Sequence, residues 1–102
     1  MSWSFEHLEE AVRVWRAPVS VKQGFYDAVV RRMSLQGPEV LAAARIETPE
    51  DMYGFHRWRF GLRPRSDVAR VLLVEVRLDA TVSYDAEVVF VHEIRSILPT
   101  DG

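Results

Sequence analysis

The sequence predicts a single α+β domain in which two or three N-terminal helices pack on a three-stranded antiparallel β-meander. The chain of 102 residues has room for one hydrophobic core. Apolar residues recur at spacings of three and four before residue 55 and at every second position after it. We therefore expect residues 1–98 to form the domain and residues 99–102 to form a short C-terminal tail.

The first segment has the pattern of an amphipathic helix. Phe5, Leu8, Val12 and Trp15 share one helical face, which predicts a helix over residues 4–15. Ser2 or Ser4 could cap its first turn. Residues 12–15 could alternatively form a short strand, since three of the four are β-branched or aromatic.

The next segment predicts a longer helix over residues 21–36. Ser20 and Gln23 match a capping box at its start, and Gly37 is a stop signal at its end. Pro38 suits a first helical position, so a short third helix is expected over residues 38–45. Residues 48–51 carry a similar signature, but a glycine follows so soon that only a turn is expected there.

Three strands are expected after residue 54. Residues 55–62, 69–78 and 87–98 are rich in β-branched and aromatic side chains, and polar stretches separate them. Consecutive strands joined by loops of this length form an antiparallel meander.

The alternation of side chains assigns the faces of these strands. His56, Trp58, Phe60 and Leu62 should face the helices, which leaves Arg57 and Arg59 on the other face. The same alternation in the third strand places His92 on the core side, and histidine there is more often a structural residue than a catalytic one. This side would hold Val88, Phe90, His92 and Ile94, and the opposite side Val89, Val91, Glu93 and Arg95.

Two features are predicted on the face away from the helices. Its apolar part would be a partner interface, covered by the first helix or by another chain, and consists of Val71, Leu73, Val89 and Val91. Its charged part gathers Arg57, Arg59, Arg77 and Arg95 beside Glu75 and Glu93. This charged part could be no more than a solvated ladder of cross-strand ion pairs.

Composition narrows the functional classes. There is no cysteine, so disulfides and thiolate chemistry are excluded. The formal charge of −2 gives no global attraction to nucleic acid, and any such role must come from local clustering. With no secretory signal and no run of about 20 apolar residues, we expect a cytoplasmic protein. Nucleotide-binding motifs are absent and the histidines at positions 7, 56 and 92 are scattered, so no cofactor or metal is expected.

Three runs in the second half resemble a known family. Residues 54–61 (GFHRWRFG), 69–73 (ARVLL) and 88–95 (VVFVHEIR) are similar to the sheet of RelE/ParE/HigB-type toxins of bacterial toxin–antitoxin pairs. The resemblance covers residues 53–98 and implies helices that precede an antiparallel meander. It also implies a further first strand, for which only residues 12–15 are a candidate.

The resemblance implies roles for individual residues. In the nuclease members of the family, basic side chains on the sheet hold mRNA phosphates while an acid–base residue assists attack by a ribose 2′-hydroxyl. By that likeness Arg57, Arg59 and Arg70 would bind phosphate, and His92 or Arg95 would lie nearest the scissile bond. The expected partners are therefore an antitoxin-like protein and RNA, and any enzyme would be a metal-independent endoribonuclease.

A different class of function fits the same sequence. A non-catalytic module could self-associate or bind a partner chain through the apolar face of the sheet. A small-molecule enzyme is the weakest hypothesis, because the sequence shows no paired carboxylates and no histidine cluster.

Overall fold

The computed structural model of the chain describes residues 2–48, 53–64 and 73–97. These residues form an α+β fold, as predicted, with a sheet of five strands in the order β1-β5-β4-β3-β2. The prediction of a three-stranded antiparallel sheet is wrong, because β1 pairs parallel to β5 and β2 pairs antiparallel to β3. The strands are β1 (Ser4–Glu6), β2 (Arg45–Ile46), β3 (Phe55–Leu62), β4 (Val74–Ser83) and β5 (Val88–Ser96).

The first strand occupies the start of the predicted first helix. Helix α1 spans only Leu8–Val14, and its N-cap is His7, in the left-handed conformation (φ 63°) and without a side-chain cap. The N–H of Ser4 instead donates to the carbonyl of Glu87 at 3.0 Å. Pairing along the edge of β5 thus outweighs the helical pattern of residues 4–6. The alternative strand at residues 12–15 is also wrong, because Trp15 is the C-cap of α1.

The second predicted helix forms, with an irregular middle. Helix α2 (Val19–Phe25) continues through a π-helical segment (Tyr26–Val30) into helix α3 (Arg31–Gln36). The expected capping box does not form, since the N-cap is Pro18 and no side chain caps it. Gly37 ends the helix as predicted, with φ 84°, a conformation that favours glycine. No helix in the described ranges is long and apolar enough to cross a membrane.

The third predicted helix is a 3₁₀-helix, Pro38–Ala44, which leads directly into β2. The turn expected at residues 48–51 lies largely outside the described residues, as do residues 69–72 at the start of the predicted second strand. Strand β3 has the predicted bounds.

Strand β4 runs five residues past its predicted end, to Ser83. Its last part resembles a loop in the sequence because Asp79, Thr81 and Ser83 are polar. These residues alternate with Ala80 and Val82, which are 0% and 5% exposed in the core. The polar residues therefore form the other side of a strand and are not a connection.

One hydrophobic core joins the helices to the inner face of the sheet, which we define as the face toward the helices. The side chains of Trp58 and Met33 are at its centre, 1% and 0% exposed. Trp15 packs edge-to-face on Phe25 at 5.5 Å, and its indole N–H donates to the hydroxyl of Ser96 at 3.1 Å. The inward direction predicted for His56, Trp58 and Leu62 is confirmed.

A β-bulge in β5 changes which residues face the core. Asp79 pairs with Glu93 and Ala80 pairs with Val91, so His92 is an extra residue between the two pairs. Unbroken alternation predicted that Val89 and Val91 face outward and His92 inward. All three assignments are wrong, because the bulge shifts the alternation by one residue. Val89 and Val91 are 0% and 3% exposed in the core.

We predict that the substitution of valine by threonine destabilises the protein more at Val89 than at Val88. The difference tests which of the two residues faces the core. Val89→Thr places a hydroxyl in the core and should lower the free energy of unfolding by about 1–3 kcal/mol. Val88→Thr, on the half-buried opposite side, should change it by less than about 1 kcal/mol. Urea unfolding of both variants measures the difference. A larger loss for Val88→Thr would contradict the bulged register.

Candidate functional site

Arginine side chains form a row across the outer face of the sheet, the face away from the helices. Arg59 on β3 lies directly opposite Arg77 on β4, which lies directly opposite Arg95 on β5. We call these three residues the arginine row. Because neighbouring strands are about 4.8 Å apart, the row spans about 10 Å. Like charges directly opposite one another destabilise a sheet, so the row depends on nearby carboxylates.

Two exposed glutamates supply part of that compensation. Arg59 Nε donates to Glu75 at 2.6 Å, and this hydrogen bond lowers the pKa of the Glu75 carboxyl. Arg77 donates to Glu93 at 2.9 Å, while Arg95 lies 3.7 Å from the same carboxylate. The cross-strand ion-pair ladder expected from the sequence therefore forms. Pairs this exposed are worth about 0–1 kcal/mol each.

Asp79 supplies the remaining compensation from a buried position. It lies opposite Arg57 and accepts two hydrogen bonds from that guanidinium, at 2.9 and 3.1 Å. The Asp79 side chain is only 9% exposed and also lies 3.5 Å from Arg77. The sequence predicted a loop at Asp79, which was not among the predicted site residues. Polar residues alternate with Ala80 and Val82 after Leu78, and this alternation could have predicted that the strand continues through Asp79.

The seven residues joined by these ion pairs have a positive net charge although the chain is acidic. Four arginines (57, 59, 77 and 95) and three carboxylates (75, 79 and 93) give +4 − 3 = +1, against −2 for the whole chain. The arginines surround an open groove of about 500 Å³, which is lined by Ile46, Arg57, Arg59, Arg77, Arg95, Ser96 and Ile97. Among the described residues, the buried Nε–H of Arg77 has no hydrogen-bond partner.

Aromatic side chains lie at the other end of the same face. Thr81 pairs with Phe55 on one side and Phe90 on the other, and the bulge adds His92 beside them. We call Phe55, Phe90 and His92 the aromatic end. The rings of Phe55 and His92 are nearly parallel, at 19° and 6.2 Å, and the guanidinium of Arg57 lies 5.7 Å from the Phe55 ring centroid.

His92 is exposed rather than structural, which corrects the sequence prediction. Its Nε2 lies 2.6 Å from the hydroxyl of Thr81. Because the bulge places His92 and Glu93 on the same face, His92 shares the outer face with Arg95. The two residues predicted nearest a scissile bond are therefore brought to one surface.

The other predicted site residues have mixed outcomes. Arg57 and Arg59 lie on the outer face as expected. Of the proposed apolar interface, Leu73 is 63% exposed, but Val89 and Val91 belong to the core. Arg70 and Val71 lie outside the described residues. The described helices pack on the inner face, so the alternative in which the first helix covers the outer face is wrong, and a cover by another chain stays a prediction.

A second histidine lies in the core near the start of β3. His56 is 7% exposed, and its Nδ1–H donates to the carbonyl of Gly54 at 2.8 Å. Its ring lies 5.3 Å from that of Trp58 and 6.2 Å from that of Tyr84. In residues 2–48, 53–64 and 73–97 there is no group of three potential ligands that could hold a metal ion.

Known proteins do not identify the site. Comparison of the chain with models of protein families, with curated proteins and with solved structures finds no match. The geometry and chemistry of the outer face are therefore the basis for proposing a function.

We predict that His56 makes stability pH-dependent. Burial lowers the pKa of His56 below its ordinary value of about 6.5, and the charge of Arg45 acts in the same direction. The unfolded chain therefore binds the proton more tightly than the folded one. The contribution to stability is complete above about pH 6.5 and is lost as the pH falls through the lower folded pKa.

Chemical unfolding between about pH 7.5 and 5.5 tests this expectation. The free energy of unfolding should fall less steeply with decreasing pH in His56→Gln than in the wild type. Val89→Thr, which is destabilised but retains every histidine, should keep the wild-type slope. Equal slopes for His56→Gln and the wild type would contradict the prediction.

Proposed function

We propose that the outer face of the sheet binds single-stranded RNA, with the arginine row holding phosphates and the aromatic end stacking a base. The observation that carries this proposal is the arginine row itself. Three guanidinium groups directly opposite one another repel, and the exposed ion pairs that offset this repulsion are worth only about 0–1 kcal/mol each. Arginine is the side chain best suited to bidentate phosphate binding.

The aromatic end favours RNA over an acidic protein as the ligand. Proteins bind single strands by combining a positive groove that follows the backbone with aromatic rings on which bases stack. Both parts are on this face. Arg59 and Phe55 are four residues apart along β3, which corresponds to about 13 Å. An acidic peptide would use the arginines but would have no need of the exposed His92 beside Phe55.

The proposal extends to the family that the sequence resembles. We propose a domain of the RelE/ParE/HigB type, with a partner protein that covers the outer face and competes with RNA. The element order is consistent with this, since the helices precede the antiparallel strands β3, β4 and β5. The first strand that the resemblance implies would be β1, next to β5, rather than residues 12–15.

The rival proposal of an interaction module has lost much of its support. It required an apolar outer face, and two of the four residues assigned to that face are in the core. Leu73 remains exposed, and an acidic segment of a partner could still engage the arginine row.

RNA binding is testable with a fluorescently labelled single-stranded RNA of about 12 nucleotides. Arg95 is suited to substitution because it is 59% exposed and its ion pair with Glu93 is long, at 3.7 Å. Arg95→Gln should weaken binding and reduce the slope of log K against log salt concentration by about 0.7. The matched control is Arg31→Gln, on α3, which should leave the slope unchanged.

Anisotropy titrations between about 50 and 200 mM salt supply these slopes. An absence of binding by the wild type would refute the proposal. Equal losses for Arg95→Gln and Arg31→Gln would show diffuse attraction rather than a site. Tighter binding of an acidic peptide than of RNA would replace RNA by a protein ligand.

Cleavage is a second candidate activity, favoured by the exposure of His92 on the same face as Arg95. Histidine is the commonest general acid–base in enzymes. The samples from the binding experiment, incubated with a chelator and resolved on a denaturing gel, reveal any cut strand. Cutting by the wild type and by Arg31→Gln, but not by His92→Gln, would assign proton transfer to His92. An uncut strand would leave binding as the only proposed activity.

A further inference from the structure

The three carboxylates that pair with the arginines differ in how easily they can leave them. Glu75 and Glu93 have side chains that are 46% and 53% exposed, so either can turn into water while remaining solvated. Asp79 is 9% exposed and held by two hydrogen bonds from Arg57. Two of the counter-charges are therefore displaceable and one is fixed.

The two displaceable carboxylates lie where a bound phosphate would lie. Glu75 accepts from the Nε of Arg59, and Glu93 accepts from Arg77 while lying near Arg95. In the protein without a ligand, each arginine of the row thus has an exposed carboxylate beside it. A phosphate that approaches the row must take the place of these oxygens.

The carboxylates do not satisfy the arginine row completely. Arg77 contacts Glu93 and Asp79 through its Nη2, and its buried Nε has no hydrogen-bond partner among the described residues. A phosphate diester can accept two parallel hydrogen bonds from a guanidinium, and successive phosphates along a strand can engage successive arginines. The phosphates of an RNA strand can therefore replace the glutamate carboxylates beside the arginine row.

We propose that Glu75 and Glu93 act as built-in competitors for phosphate, which set the affinity of the arginine row and restrict it to ligands carrying several linked phosphates. This inference rests on the proposed RNA-binding function. In the free protein the two glutamates pair with the row and reduce the net charge of the seven ion-paired residues to +1. A single phosphate monoester can replace only one of them, whereas an RNA strand displaces both and gains all three guanidinium groups.

The double substitution Glu75→Gln/Glu93→Gln tests the inference directly. It raises the net charge of the seven ion-paired residues from +1 to +4 − 1 = +3, with Asp79 retained. Binding of the RNA of about 12 nucleotides should become on the order of tenfold tighter, because the competing pairs are lost. The salt slope should stay close to that of the wild type, because the strand contacts the same three guanidinium groups in both proteins.

The matched control is Glu9→Gln/Glu10→Gln on α1. It makes the same change in total charge and also breaks an exposed ion pair, that of Glu10 with Arg13 at 2.6 Å. This control should leave the salt slope unchanged and should tighten binding far less. Uridine monophosphate is the second probe, and its binding should remain weak in the wild type.

The outcomes separate this inference from the proposed function. If the wild type binds RNA and the double variant binds it with the same affinity, the competitor role is refuted while RNA binding stands. If neither protein binds RNA, both proposals fail. Binding by the double variant alone would support the competitor role in its strongest form. Should the double variant melt well below the wild type, Glu93→Gln alone is expected to show part of the same gain in affinity.

Discussion

The β-bulge at His92 is the constraint on which the rest of the sheet depends. Before the bulge, Val89 and Val91 face the helices; after it, Ile94 does so. The extra residue lets one strand keep a continuous apolar inner face although its sequence does not alternate regularly. The same extra residue brings His92 and Glu93 together on the outer face, beside the arginine row. Core packing and the composition of the candidate site therefore have one structural cause.

The outer face carries one ion pair of fixed geometry and others that can rearrange. The buried pair of Asp79 and Arg57 fixes the centre of the face, because removing one partner would leave a poorly solvated charge. Around this pair, the ion pairs of Glu75 and Glu93 are exposed and weak. A ligand can therefore rearrange the edges of the site while the pair and the core beneath it keep their geometry. A face built in this way is suited to exchange one set of anionic groups for another.

Local pattern predicted the elements whose signals are strong and missed those defined by pairing. The period of two gave β3 with its correct bounds, and Gly37 marked the end of the long helix. Strands β1 and β2 have three and two residues, too few for a period to show, and they exist because neighbouring strands offer unpaired edges. The bulge left no local signal, so the faces of β5 were assigned wrongly. The arginines were found because charged positions alternate regularly on β3 and β4.

Resolved NMR signals of the arginine Nε–H groups give the most direct test of the central claim that the outer face is the RNA-binding surface. During titration with single-stranded RNA, the signals of Arg59, Arg77 and Arg95 should shift and saturate together, because these side chains share one row. The signals of Arg13 on α1 and Arg31 on α3 are internal controls and should not move. Equal shifts at all five residues, or shifts confined to the helices, would contradict the claim.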